Sequence, residues 1–176
     1  MLYEPHVMDR SLSRFRPALL SQARAAGLAY PAWGTRPYPP AGDARWTVFD
    51  HAAALDMECA CRATSWGLGQ VLGEGFAALN YGSASALAHD AMVSEARQLG
   101  QMVAFIKAHK LDAALVRQDW RAFALGYNGG GQVDAYANKL QLAYAAPHSV
   151  QLAMSEADRL NQAQLDAMSR APGRWG

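Results

Sequence analysis

Apolar residues recur along this chain at spacings of three and four, the period of a helix with one buried face, and alanine is abundant; the pattern predicts a mostly helical protein. The first such stretch covers residues 8–27, with Phe15, Leu19 and Leu20 facing inward and Gly27 as its stop. The period then lapses. From Tyr30 to Gly42 the run "YPAWGTRPYPPAG" is dense in proline, glycine and rings, which predicts a loop held by its own aromatic contacts. Helix resumes near Thr47 and continues to about Arg62. Beyond "SWGLGQVLGEGF", Ser83 or Ser85 is placed to cap a long helix that reaches about His109. Two shorter helices are expected near 111–117 and 119–126, "GYNGGG" interrupts, and 132–145 is helical again. After Pro147, "SEADRLNQAQLDAMSRA" has the pattern of a polar amphipathic helix. The expected fold class is all-α, with at most a short hairpin in the Pro/Gly-rich loop near 30–46. The expected organisation is one domain over 1–146 and a helical tail over 147–176.

Composition narrows the function. The 176 residues suffice for one domain with a substantial core, and 51% of them are apolar. The formal charge is only +1, so no field of one sign is available to hold nucleic acid or an anionic membrane. No apolar run reaches the roughly 18 residues of a membrane span, and the N-terminus lacks the pattern of a secretory signal. The two cysteines, Cys59 and Cys61, lie two apart in a helical pattern where their side chains diverge, and are expected to be reduced and buried. The histidines scatter at 6, 51, 89, 109 and 148 with no H-x-x-x-H pair, which disfavours a zinc site. No G-x-S-x-G elbow and no phosphate-binding glycine loop is present.

Two segments carry candidate chemistry. In "SWGLGQ", small residues alternate with side chains that could project into a cleft: Ser65, a stacking face from Trp66 and a bidentate amide from Gln70. The same letters also suit a helix start with packing glycines and a core tryptophan. In "GYNGGGQVDAYANKL", Tyr127 and Asn128 end a helix and three glycines turn the chain, so a ring and an amide could face a ligand; a C-cap with Asn128 in the left-handed conformation is the packing alternative.

Together these segments resemble the goose-type lysozyme and lytic transglycosylase superfamily, and more closely the muramidase domain of phage endolysins. That family carries F-E-x-H, a Pro/Gly/aromatic loop, S-W-G-L-x-Q, S-E-x-x-Q-L-x-x-F-V-x-F-I and G-Y-N-G in this order. The chain answers with "YEPH" at Tyr3–His6, the loop at 30–42, "SWGLGQ" at Ser65–Gln70, "SEARQLGQMVAFI" at Ser94–Ile106 and "GYNGGG" at Gly126–Gly131. The resemblance covers residues 1 to about 145. The family's further acidic segment, close to E-S-x-x-x-G-F, lies upstream of F-E-x-H and has no counterpart in this sequence. The expectation is therefore that the domain is truncated at Met1, or that the acid roles fall differently.

The resemblance implies a lysozyme-like fold and a muramidase acting on peptidoglycan glycan strands at the β-1,4 bond after N-acetylmuramic acid. It implies no cofactor. A monomer made in the host cytoplasm and working on the cell wall is expected. Such hydrolysis needs a carboxylic acid at the leaving oxygen, commonly with a second carboxylate. Glu4, between Tyr3 and Pro5 with His6 to orient it, is the first candidate by the resemblance; without it, a solvated charge near a terminus is the simpler account. Glu95 is the second, because it falls in the stripe Leu87, Ala91, Leu99, Val103, Ile106, where a carboxylate needs a partner; it would serve as a brace beneath the cleft more readily than in the chemistry. Glu58 and Glu74 have weaker claims, as a helix-surface charge and a cleft-edge residue. The sugar contacts implied are His6, Ser65, Trp66, Gln70, Tyr127 and Asn128. The alternatives are a lytic transglycosylase on the same fold, a non-catalytic wall-binding remnant, and a helical interaction protein in which each motif is packing.

Overall fold

The computed structural model describes residues 1–40 and 42–146, so the amphipathic pattern expected after Pro147 lies outside the described residues. The elements in chain order are β1 (Leu2–Tyr3), α1 (Pro5–Phe15), α2 (Pro17–Ala25), α3 (Asp43–Leu55), α4 (Met57–Arg62), β2 (Thr64–Trp66) and β3 (Val71–Leu72). A 3₁₀ segment (Gly73–Leu79) follows, then α5 (Ala84–Ala91), α6 (Glu95–Ala108), α7 (Asp112–Val116), α8 (Trp120–Asn128) and α9 (Val133–Ala145).

Each long helix predicted from periodicity is divided by a residue with a local reason. Pro17 has no N–H to continue α1 and instead opens α2, just as Pro5 opens α1. The break leaves Phe15 40% exposed, contrary to the inward face expected for it, and its ring is covered by the Arg14 and Arg62 guanidiniums. Asp56 separates α3 from α4 and caps the latter by accepting from Cys59 N at 2.8 Å. Ser83 caps α5 by accepting from Ala86 N at 3.0 Å. A turn at Met92–Ser94 then starts α6 afresh.

The loop over 30–40 forms no strand. The sheet is elsewhere: β2 pairs antiparallel with both β1 and β3, in the registers Leu2↔Ser65, Tyr3↔Thr64, Ser65↔Leu72 and Trp66↔Val71. The hairpin is thus built from "SWGLGQVL", and the expectation of one near 30–46 is corrected. Period-2 alternation cannot be read in strands of two and three residues.

The chain divides into two compact units, Met1–Gln101 and the residues from Met102 onward. The first is centred on Trp66, Phe49, Met8, Leu12 and Leu87, all at or below 2% exposure. Phe49 meets Trp46 and Trp66 edge-on, at centroid separations of 5.8 and 5.3 Å. Arg62 bridges the Phe15 and Phe76 rings and pairs with Glu58, whose two carboxylate oxygens accept from Ala84 N and Ser85 N at the start of α5. Glu58 is therefore a cap and brace, which its position on a short helix did not reveal.

The second unit gathers Ile106, Leu111, Ala114 and Phe123, with Phe105, Tyr127 and Leu140 against them. Gly126 packs closely there: a Cβ would stand 2.3 Å from Leu111 Cδ2, so Leu111 would have to move to admit one. Asp119 caps α8 through Ala122 N at 3.0 Å.

Candidate active site

Glu4 stands where β1 becomes α1. Its amide donates to the Ala63 carbonyl at 2.7 Å, extending the β1–β2 pairing by one rung, while its own carbonyl accepts from Val7 N and Met8 N as the helix begins. Strand and helix thereby fix its backbone from both sides. The preceding Tyr3 is buried and donates its hydroxyl to Leu28 O at 2.6 Å, and burial raises its pKa far above the ordinary range for tyrosine.

The Glu4 side chain is 15% exposed. Tyr38 donates a short hydrogen bond to Glu4 Oε2, and His6 Nδ1 lies 3.6 Å from the same oxygen. Both partners thus converge on one oxygen. Burial lowers the His6 pKa below its usual 6.5; the nearby Glu4 and Glu74 carboxylates oppose this and Arg10 reinforces it. Arg10 is itself held by Glu74, with Nε 3.1 Å from each carboxylate oxygen. Glu74 thereby clamps α1.

Tyr38 and His6 also line an open pocket of about 660 Å³, counting the space at its mouth, formed with Tyr3, Tyr30, Arg36 and Arg45. The lining contains no aspartate or glutamate, so Glu4, held by two lining residues, is the carboxylate set against it. Sequence reasoning missed Tyr38. The available signal was its place between Pro37 and Pro39, which stiffen the backbone on either side of a ring inside an otherwise irregular loop.

The other candidates sit differently. Trp66 is 2% exposed and its Nε1 donates to Cys61 O at 3.1 Å, so its expected stacking on sugar is corrected: the ring belongs to the core. Ser65, 9% exposed, is the middle residue of β2 and is likewise closed off. Gln70 is exposed at the hairpin tip with φ +48, and its Nε2 donates to Gly67 O at 2.8 Å.

Glu95 lies in the first turn of α6, half-buried, where its charge complements the helix N-terminus; it makes no ion pair among the described residues. The stripe expected to bury it is not the buried face, because Leu99 and Val103 are each 46% exposed. That face carries Gln98 and Gln101 instead, both 2% exposed. Gln98 Oε1 accepts from Leu68 N, and its Nε2 donates to Ala91 O, each at 2.8 Å. Gly67, with φ +67, makes room for it: a Cβ there would lie 2.8 Å from Gln98 Cγ. The brace expected of Glu95 is Gln98, three residues on. "SWGLGQ" and "SEARQL" are thus two halves of one clamp.

In the second unit, the Tyr127 ring lies between Phe105 and Phe123, at 4.9 and 5.3 Å, and burial pushes its hydroxyl up to about 12. Asn128 is exposed and helical; the positive φ belongs to Gly129, at +78. Among the described residues no three His, Cys, Asp or Glu side chains gather to hold a metal ion. No helix among them is long and apolar enough to cross a membrane.

A mainly helical, lysozyme-like fold with a carboxylate at a strand-to-helix junction defines the class. The profile of the N-acetylmuramidase family, Muramidase, matches residues 1–148, and the chain belongs to that family. It is similar to the crystal structure of the Burkholderia AP3 phage endolysin, with a TM-score of 0.68 and 35% identity. The match covers 80% of this chain and 53% of that one, so the chain spans about half the length of the endolysin it matches. No curated protein matches it.

Proposed function

We propose that this chain is a peptidoglycan-degrading muramidase of the endolysin type, cleaving the β-1,4 bond between N-acetylmuramic acid and N-acetylglucosamine. The observation that carries this reading is Glu4: within a chain of the N-acetylmuramidase family it is a largely buried carboxylate held by two residues that line a pocket, both on one oxygen. In this reading the other oxygen is the one offered to substrate or water. Glu4 acts on the scissile bond, His6 and Tyr38 position it, and the exposed amide of Gln70 contacts sugar; in the second unit, taken by itself, the exposed amide of Asn128 offers a sugar contact. Tyr127 belongs with Asn128 as a support. Glu95 is the second acid to test. The site of action is the bacterial cell wall.

The experiment is turbidity loss of outer-membrane-permeabilised Gram-negative cells, with the released fragments read by mass spectrometry. Glu4→Gln should lower the rate by about 10²- to 10⁴-fold, the range for loss of a general acid–base group. Wild-type rates in that variant would remove Glu4 from the chemistry. A parallel Glu95→Gln variant that loses comparable activity would give Glu95 the second role.

The pocket's lack of a further acidic side chain favours one second reading, a lytic transglycosylase, in which the sugar's own hydroxyl replaces water and one carboxylate suffices. Fragments ending in 1,6-anhydro sugars, in place of reducing ends, would decide for it.

A further inference from the structure

The pocket beside Glu4 is lined by two arginines and no carboxylate. Elsewhere in the first unit Arg10, Arg16, Arg24, Arg62 and Arg97 each pair with a carboxylate, and Arg14 lies over the Phe15 ring. Arg36 and Arg45, which line the pocket, have no carboxylate partner among the described residues. Arg36 lies over the Tyr30 ring, 5.1 Å from its centroid. Arg45 donates from Nε to Pro39 O at 3.2 Å. A guanidinium carries five N–H donors, so most donors of both side chains are left for something outside the protein.

The seat of Arg36 is built. Tyr30 donates its hydroxyl to Gly27 O at 2.6 Å, which fixes the ring beneath the cation. Gly27 has φ +72, and a Cβ on it would come 3.2 Å from Arg36 Nη1. The surrounding lining is mostly apolar, from Leu2, Pro37, Pro39 and Val48, and near such walls a charge-assisted bond is stronger than in open water.

Two cations with donors to spare are poorly matched to neutral N-acetyl sugars, which need amides and ring faces, and well matched to a planar anion. In the wall polymer the planar anions are the carboxylates of the stem peptide attached to the lactyl group of N-acetylmuramic acid. We propose that this pocket is a subsite for a stem-peptide carboxylate, held by Arg36 and Arg45. The choice of ligand rests on the muramidase reading. Because His6 and Tyr38 border both the pocket and Glu4, an acid bound here would bring its muramic acid to the reacting carboxylate and make the protein select strands that still carry their peptides.

The test titrates the soluble stem tetrapeptide, and its fully amidated form, into the protein by NMR, alongside cleavage of glycan strands with and without their peptides. The acidic peptide should bind, more weakly as salt is raised. The amidated form, and the Arg36→Gln and Arg45→Gln variants, should each bind about tenfold more weakly, as expected for a lost charge-assisted bond. Arg36→Lys with Arg45→Lys should recover part of the affinity, which loss of a merely structural arginine would not predict. Equal binding of acidic and amidated peptide, no binding of either, or unchanged affinity in the glutamine variants would overturn the proposal. Cleavage indifferent to the peptides would overturn it while leaving the muramidase reading intact. Charge-dependent binding by a chain that releases no fragments would do the reverse.

Discussion

At the scale of single residues, the Glu4 carboxylate is held by two groups of different kinds. Tyr38 can only donate to it, whereas His6 can change charge. Tyr38→Phe removes one hydroxyl and keeps the ring, so the pocket wall stays and the orientation of the carboxylate is lost. The expected result is a fall in kcat of roughly tenfold, consistent with the cost of a misdirected reacting group, at little changed KM. Equal kcat in the variant would make the bond incidental. His6 gives a second prediction, on stability. Its folded-state pKa lies below 6.5, so on acidification the unfolded chain takes up a proton before the folded one does. That contribution is absent well above 6.5; as pH falls through the window between the unfolded and folded values, stability drops. Urea unfolding between pH 7.5 and 5 should show the slope, and His6→Asn should flatten it.

At the scale of elements, the hairpin is held by a clamp whose halves are about thirty residues apart in sequence. Gly67 supplies a positive φ and an absent Cβ, and Gln98 fills the space with an amide bonded at both ends. Gly67→Ala should therefore lower stability by more than the 1–2 kcal/mol of left-handed strain alone, because the Gln98 bonds are displaced as well. Denaturant midpoints measure this, and a loss below about 1 kcal/mol would mean that the hairpin shifts freely. The elements also show what was legible in advance. The first helix starts at Pro5, three residues before its expected start, but helical content and several helix ends followed from periodicity, Ser83 and the glycines after Asn128. The breaks at Arg16, Asp56 and Met92–Ser94 did not, since the apolar period runs across them and a single cap or proline overrides it. Leu99 and Val103 looked buried because a stripe of apolar residues in steps of four drifts around a helix of about 3.6 residues per turn; Gln98 and Gln101 stay on the Leu87–Ala91 face but are polar. Glu4 and His6 were readable only beside the family motifs. Tyr38 was hidden in a loop, where no period assigns a side chain to a face. Trp66 was misread because a tryptophan next to glycines suits a cleft and a core equally well.

For the molecule as a whole, each unit has its own core, and the first contains most of the deeply buried residues. Both cysteines belong to that first unit, on α4, at 2% and 0% exposure and without a disulfide, as their spacing predicted. Burial pushes each thiol up to about 12, with nearby carboxylates adding to the effect. At pH 8 such a thiol stays protonated, and it is screened from reagents besides. The folded protein should therefore be silent to a thiol-selective dye and take up two equivalents when the first unit opens. The native sequence thus contains a clock for that opening, with no engineered label required. Phe49→Ala, which removes a core ring at a cost of about 3–5 kcal/mol, should make the clock run faster in proportion, while events confined to the residues after Met102 leave no mark on it, since no thiol is there to record them.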